Sequence, residues 1–169
     1  NAFKKAGREV IWVITSDHGE EFGERGTWGH AHALYSEQLD IPLIFSGPNI
    51  PNGIVKDDVG LSDIAPTLSA LTKVPVPSKS QGRDLMPAML GKALDQKEWF
   101  AETSRFNTNR ISLKKGDFRI EWDLKSDKAE LYNQTSDPKE VNDLSQQQTK
   151  IVASLKKDIL KVIGRDTWT

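Results

Sequence analysis

Three histidines occur in the chain, and all of them (His18, His30 and His32) fall within the fifteen residues that begin at His18, with Asp17 directly beside the first. Imidazole nitrogens and a carboxylate oxygen form a common mixed donor set for Zn²⁺, Mn²⁺ and similar ions. An imidazole that titrates near neutrality can also carry a proton to or from a reacting group. Asp17 and His18 alone do not complete a metal site, so other ligands must come from elsewhere. An Asp-His pair also reads as a turn cap followed by a surface histidine, and His30 as a ring packed on Trp28. A histidine cluster beside a glycine-rich stretch is harder to explain by packing.

The elements that must position these residues are legible in outline. Residues 10–15 form a mostly apolar, β-branched run, expected to be a buried strand with Ser16-Asp17-His18-Gly19 at its carboxyl end. In open α/β sheets that end is where ligands collect. Residues 19–29 hold four glycines and the charged Glu20, Glu21, Glu24 and Arg25, and read as a loop. A short helix is expected over 30–39, with Ala31, Leu34, Tyr35 and Leu39 inward, then a short strand over 41–45 with Pro42 at its first residues. Ser62 or Asp63 is expected to cap a helix carrying Ile64, Leu68 and Leu71, with Pro66 in its first turn. A further short amphipathic helix is expected over 84–90.

From Lys97 the texture changes. Segments at 99–101, 110–114, 118–124 and 130–132 alternate with turns such as Lys115-Gly116-Asp117, which predicts an antiparallel meander. Ile151, Val152, Leu155, Ile159 and Val162 trace one face of a final helix that would cover the sheet. Residues 1–7 read as the tail of an amphipathic helix (Ala2, Phe3 and Ala6 apolar). A start in mid-helix without methionine leads to the expectation of a fragment of a longer chain.

Composition narrows the chemistry. The 169 residues carry a formal net charge of -1, which gives no electrostatic case for nucleic acid as a partner. With no cysteine, disulfides, thiolate metal sites and thiol nucleophiles are excluded from this chain. No stretch approaches the roughly 20 apolar residues of a membrane span.

The ordered motifs resemble the sulfatase branch of the alkaline-phosphatase superfamily. They are Ile14-Thr15-Ser16-Asp17-His18-Gly19-Glu20, Phe22-Gly23-Glu24, Gly29-His30-Ala31-His32-Ala33-Leu34-Tyr35 and Ile41-Pro42-Leu43-Ile44. Next come Ser62-Asp63-Ile64-Ala65-Pro66-Thr67-Leu68, Gly82-Arg83-Asp84-Leu85, Lys115-Gly116-Asp117-Phe118, and Glu130-Leu131-Tyr132 running to Asn142-Asp143-Leu144. The resemblance implies an α/β class: the C-terminal part of an alkaline-phosphatase-like α/β sandwich, then a small antiparallel sheet under a C-terminal helix. Residues 1–95 would belong to the catalytic domain and 96–169 to a small C-terminal α+β subdomain.

It further implies that Asp17 and His18 ligate a divalent cation, Ca²⁺ in most relatives, with Mn²⁺ or Zn²⁺ suited to the histidine. His30 and His32 flank the place where many relatives carry a sulfate-contacting lysine, so they take the anion-binding or leaving-group role, His32 foremost. Glu20, Glu21 and Glu24 would be peripheral to the site. Glu102 and Arg105 would sit in a solvated loop or face substrate, and Trp28 would line a pocket. The substrate would be a sulfate ester, or a phosphate ester in the rival readings.

Departures from the family pattern matter as much. The chain has no Cys/Ser-x-Pro-x-Arg motif for a formylglycine nucleophile and no upstream Asp-Asp pair; Asp57-Asp58 lies downstream. Formylglycine is therefore expected in a missing N-terminal part, and the isolated chain is expected to be inactive and to self-associate or need its missing half. The rivals are a phosphodiesterase, phosphonate-ester hydrolase or phosphoethanolamine transferase with a Thr or Ser nucleophile, and a non-catalytic binding domain. A periplasmic or secreted location is the family expectation.

Overall fold

The computed structural model describes residues 7–76 and 78–164, so the helix tail expected at the very start lies outside the described residues. The chain forms two compact units, Asn1–Asp17 with Ile41–Gln96, and His18–Asp40 with Lys97–Thr169. The three histidines and the C-terminal sheet thus belong to the same unit.

In the first unit, strand β1 (Trp12–Thr15) pairs antiparallel with β4 (Leu43–Ser46), matching Trp12 to Ser46 and Thr15 to Leu43. Pro42 precedes β4, where its missing N–H costs no ladder bond. The burial expected for β1 does not occur: Trp12 and Ile14 are 55% and 54% exposed. Among the described residues each strand pairs along one edge only, and these side chains meet solvent.

A 3₁₀ turn (Leu61–Asp63) leads into helix α2 (Ile64–Thr72), and α3 (Met86–Met89) follows. Asp63 is fully buried but does not cap α2 through its side chain. Its carboxylate accepts instead from Gly60 N (3.2 Å), Arg83 N (2.7 Å) and Arg83 Nη2 (3.1 Å), and a guanidinium with two amides outcompetes the helix end. Thr67 donates to Asp63 O (2.6 Å) and accepts from Leu85 N (3.0 Å). Gly82 lets the two segments touch, since a Cβ there would lie 1.8 Å from Ser62 O. The Asp63…Thr67 and Gly82-Arg83…Leu85 motifs are two halves of one clasp.

In the second unit, β5 (Trp99–Thr103), β6 (Arg110–Lys115), β7 (Phe118–Asp123) and β8 (Ala129–Asn133) form the expected antiparallel meander in sequential order. Strand alternation sends Ile111, Leu113, Ile120, Trp122 and Leu131 into one core with Leu155 and Ile159 of α4 (Thr149–Ile163). Ile163, rather than the expected Val162, joins that core.

The opposite face of the sheet is polar. Arg110, Ser112, Arg119, Glu121, Glu130 and Tyr132 lie in register across β6–β8. Residues 30–40 dock there: Tyr35 Oη donates to Glu130 Oε2 (2.5 Å), and Arg119 Nη2 donates to Asp40 Oδ1 (2.9 Å). Only α1 (Ser36–Leu39) of the helix expected over 30–39 forms. Ala31 has φ +71° and Tyr35 is extended, so residues 30–35 are held by side-chain anchors in place of helical hydrogen bonds. The glycine-rich loop contains a minimal hairpin, β2 (Glu21–Phe22) against β3 (Trp28–Gly29).

Truncating Ile159, which is fully buried under the sheet, is expected to destabilise this unit by about 2–5 kcal/mol, read by denaturant unfolding. Asp158 of α4 receives hydrogen bonds from Lys115 (2.8 Å) and Lys161 (2.7 Å), which hold its carboxyl down to about 2. A carboxyl depressed in the folded state adds stability above its unfolded value, near pH 3.9, and loses it as pH falls toward 2. Asp158→Asn is therefore expected to lower Tm at neutral pH by less than about 4 °C, the difference closing by pH 2 in thermal melts.

Candidate functional site

The site begins with a close approach that only glycine allows. Gly19 N donates to Gln38 O (2.8 Å), and a Cβ on Gly19 would lie 2.1 Å from Glu37 O. The chain after His18 is thereby laid against the α1 segment. There the His18 and His30 rings stack with centroids 4.1 Å apart and planes tilted by 35°. Glu20 Oε1 lies 2.6 Å from His30 Nδ1 and 3.9 Å from His18 Nδ1, which also sits 2.8 Å from Gly19 O.

His18, Glu20 and His30 each offer a ligand atom, and these atoms all lie within 4.8 Å of one another. Two imidazole nitrogens and one carboxylate oxygen fit a divalent ion of borderline hardness; Ca²⁺ favours all-oxygen shells. Glu20, expected at the periphery, is the carboxylate that joins the two histidines. Asp17 belongs to the first unit, where it is exposed beyond β1.

His32 has a different partner. Its Nε2 lies 3.0 Å from Glu21 Oε2, and Glu21 is only 1% exposed. Glu21 also accepts from Thr27 Oγ1 and from Gln38 Nε2 (2.6 Å). Burial would raise the Glu21 carboxyl, yet the hydrogen bonds from Thr27, His32 and Gln38 hold it below the usual range. Gln38 then accepts from Ala31 N (2.8 Å), and Thr103 Oγ1 donates to Ala31 O (2.8 Å). Both peptide groups of the left-handed Ala31 are thus fixed, which sets His30 toward Glu20 and His32 toward Glu21.

A cavity of about 520 Å³ opens beside the cluster. His18 and His30 line it, together with Glu102, Thr103, Arg105 and Asn109 from β5 and the turn that follows. His32 is not among its lining residues, nor is Trp28, which is 72% exposed and set edge-on to Phe22. The His30 ring stacks on His18 and meets Glu20.

The family model described as N-sulphoglucosamine sulphohydrolase, C-terminal, matches residues 23–165, and the chain belongs to that family. It is similar to a sulfatase of Formosa agariphila, with 33% identity over 135 residues that cover 79% of this chain and 26% of the relative. It is also similar to a delta 4,5-hexuronate-2-O-sulfatase of Bacteroides thetaiotaomicron, with 28% identity over 150 residues covering 83% and 31%. The solved structure of a 2-O GAG sulfatase superposes with a TM-score of 0.73 at 26% identity, covering 92% of this chain and 36% of that one. The fold is the alkaline-phosphatase-like α/β fold of the sulfatases. The chain spans about a quarter to a third of the length of the curated relatives it matches first.

From the sequence Glu21 reads as peripheral, and Gln38 and Thr103 are not singled out, because their roles arise from pairings that only the fold brings together. Glu21→Gln keeps the shape of the buried carboxylate but removes its charge. It is expected to shift the tautomer balance of His32, read from long-range ¹⁵N–¹H correlations, while costing about 1–3 kcal/mol in denaturant unfolding. Unchanged imidazole signals would show that Glu21 does not orient His32.

Proposed function

We propose that this chain is the C-terminal part of a metal-dependent sulfatase that hydrolyses sulfate esters of sugars, with the nucleophile and the rest of the cation site carried on a segment outside it. The observation that carries this reading is the convergence of His18, Glu20 and His30, with both histidines lining one cavity, in a chain of the sulfatase family. Residues 1–95 contribute to the catalytic domain, in which further strands cover the apolar ribbon of β1 and β4. Residues 96–169 form the C-terminal subdomain. The chain has no cysteine and no Ser-x-Pro-x-Arg motif, which supports a formylglycine carried on another segment of the protein. The family resemblance supports a periplasmic or secreted setting. Among the described residues no helix is long and apolar enough to cross a membrane.

Asp17 and His18 match the family's cation ligands, and Glu20 and His30 are the further donors gathered beside His18. His18, Glu20 and His30 would hold a divalent cation, which would supply polarisation of a sulfate oxygen. By the family resemblance His32 is the candidate proton donor to the departing sugar alkoxide; it stands outside the lining of the cavity, with its ring held by Glu21. Glu102, Thr103 and Asn109 offer hydrogen-bonding groups of the kind that recognise sugar hydroxyls in the same cavity.

In the full-length gene product, mass spectrometry of the tryptic peptides is expected to find a Cys- or Ser-derived formylglycine. An unmodified Thr or Ser nucleophile would move the activity to phosphate or phosphonate esters. His18→Ala is expected to lose bound metal by elemental analysis. His32→Ala is expected to keep the metal and lower kcat about 10²–10⁴-fold on sugar sulfates, with a much smaller effect on an aryl sulfate whose leaving group needs no proton. Equal losses on both substrates would remove His32 from the proton-donor role.

A further inference from the structure

Two glutamates stand directly opposite each other on the polar face of the sheet, Glu121 of β7 against Glu130 of β8. Like charges in that register repel, and burial strengthens the repulsion. The fold treats the two unequally. Glu130 is well supplied with donors: Oε1 accepts from Lys128 Nζ (2.5 Å), and Oε2 accepts from Tyr35 Oη (2.5 Å) and Tyr132 Oη (3.0 Å). Burial would raise the Glu130 carboxyl, yet the hydrogen bonds from Lys128, Tyr35 and Tyr132 hold it below the usual range. Glu121 is 3% exposed and accepts at Oε1 from Arg110 Nη1 (2.5 Å). Its Oε2 is shut away from water without a hydrogen-bond partner among the described residues.

An ionised carboxylate loses the solvation of such an oxygen with nothing in its place, whereas a neutral carboxyl loses far less. The surroundings of Glu121 divide on this point. Burial, joined by the Glu130 carboxylate, favours the neutral form; the Arg110 guanidinium and the nearby Leu34 amide favour the charge. Burial prevails and pushes the carboxyl up. Tyr35 faces the same pair, and burial with the charges of Glu121 and Glu130 keeps its phenol protonated. Leu34 and Tyr35 follow directly on His32, so this acid pair sits where the histidine segment is fastened to the sheet.

We propose that Glu121 is carried as a neutral carboxylic acid in the folded protein and acts as a proton-operated latch, whose ionisation weakens the sheet's hold on residues 30–35. When the proton leaves, a second negative charge appears beside Glu130, under the phenol that anchors the segment, with Arg110 as its ion-pair partner. The folded state binds this proton more tightly than the unfolded chain does. The latch is therefore fully effective below the ordinary glutamate value of about 4.3 and is lost as pH rises through the titration of the buried acid. It works whatever the neighbouring cavity binds, so its test needs no substrate.

The test compares the full-length wild type with Glu121→Gln, which keeps the shape of the carboxyl and cannot ionise. At about pH 6, where an ordinary glutamate is ionised, the wild-type-minus-variant infrared difference spectrum is expected to show the carbonyl stretch of a protonated carboxyl. In hydrogen–deuterium exchange, peptides spanning 30–40 are expected to exchange alike in both proteins at about pH 6, and about fivefold or more faster in the wild type at about pH 9. Glu140, the other buried acid that holds this segment, is common to both proteins and cancels in the comparison. Glu121→Met, also neutral, is expected to follow Glu121→Gln. A carboxylate signature at about pH 6 would overturn the proposal, as would exchange at about pH 9 that is equal in the two proteins or faster in Glu121→Gln. Failure of both neutral variants to fold at about pH 6 would overturn it too, because the charged pair with Arg110 would then be what the fold requires.

Discussion

The unit that carries the histidines depends on one buried carboxylate. Glu140 is 1% exposed, and it gathers groups from three stretches of chain far apart in sequence. Its Oε2 accepts from Ser36 N (2.8 Å) at the start of α1, and its Oε1 accepts from Gln134 Nε2 (2.5 Å) and lies 3.4 Å from Arg119 Nη1 of β7. Arg25 of the glycine-rich loop donates to Glu140 O (3.0 Å) and lies against the Tyr35 ring (3.6 Å). Burial pushes the Glu140 carboxyl up, and the charges of Arg119 and Arg25 oppose that rise. Removing one member of such a group leaves another charge buried and unpaired, which costs several kcal/mol. Both the loop bearing Glu20 and Glu21 and the segment bearing His30 and His32 are therefore registered on the sheet through one point.

This explains why a four-stranded sheet with an ordinary apolar face also has a face crowded with charge. The α4 side buries Leu113, Ile120 and Leu131 and supplies hydrophobic stabilisation. The other side uses Arg110, Arg119, Glu121, Glu130 and Tyr132 to fix direction, because ion pairs and hydrogen bonds specify a geometry where apolar contacts only favour closeness. The segment that carries His30 and His32, without regular structure over 30–35, needs that second kind of interaction. The fold supplies a rigid floor, and the loops laid on it supply the chemistry.

Much of this was legible in the sequence where local pattern decides the outcome. The meander, its turns and the amphipathic α4 follow from alternation and helical spacing, and the Gly19 and Gly82 motifs mark places where backbones touch. The reading fell short where distant partners decide. Residues 30–39 carry apolar residues at helical spacing, yet Gln38, Thr103 and Glu140 bind the backbone in other ways and only one turn of helix forms. Asp63 has the type and position of a helix cap, but Arg83 captures its carboxylate. The histidines were visible as a group; that His30 joins His18 and Glu20 while His32 joins Glu21 depends on the turn at Ala31, which no composition signal announces.

Ala31 carries a trade-off for anyone seeking a hardier version of this domain. A glycine at φ +71° would relieve the steric cost that an L side chain bears there. The same exchange would loosen the one peptide link that assigns the two flanking imidazoles to different partners, and would let them wander between Glu20 and Glu21. Position 31 is thus a place where easing backbone strain and keeping the two imidazoles on separate partners pull in opposite directions.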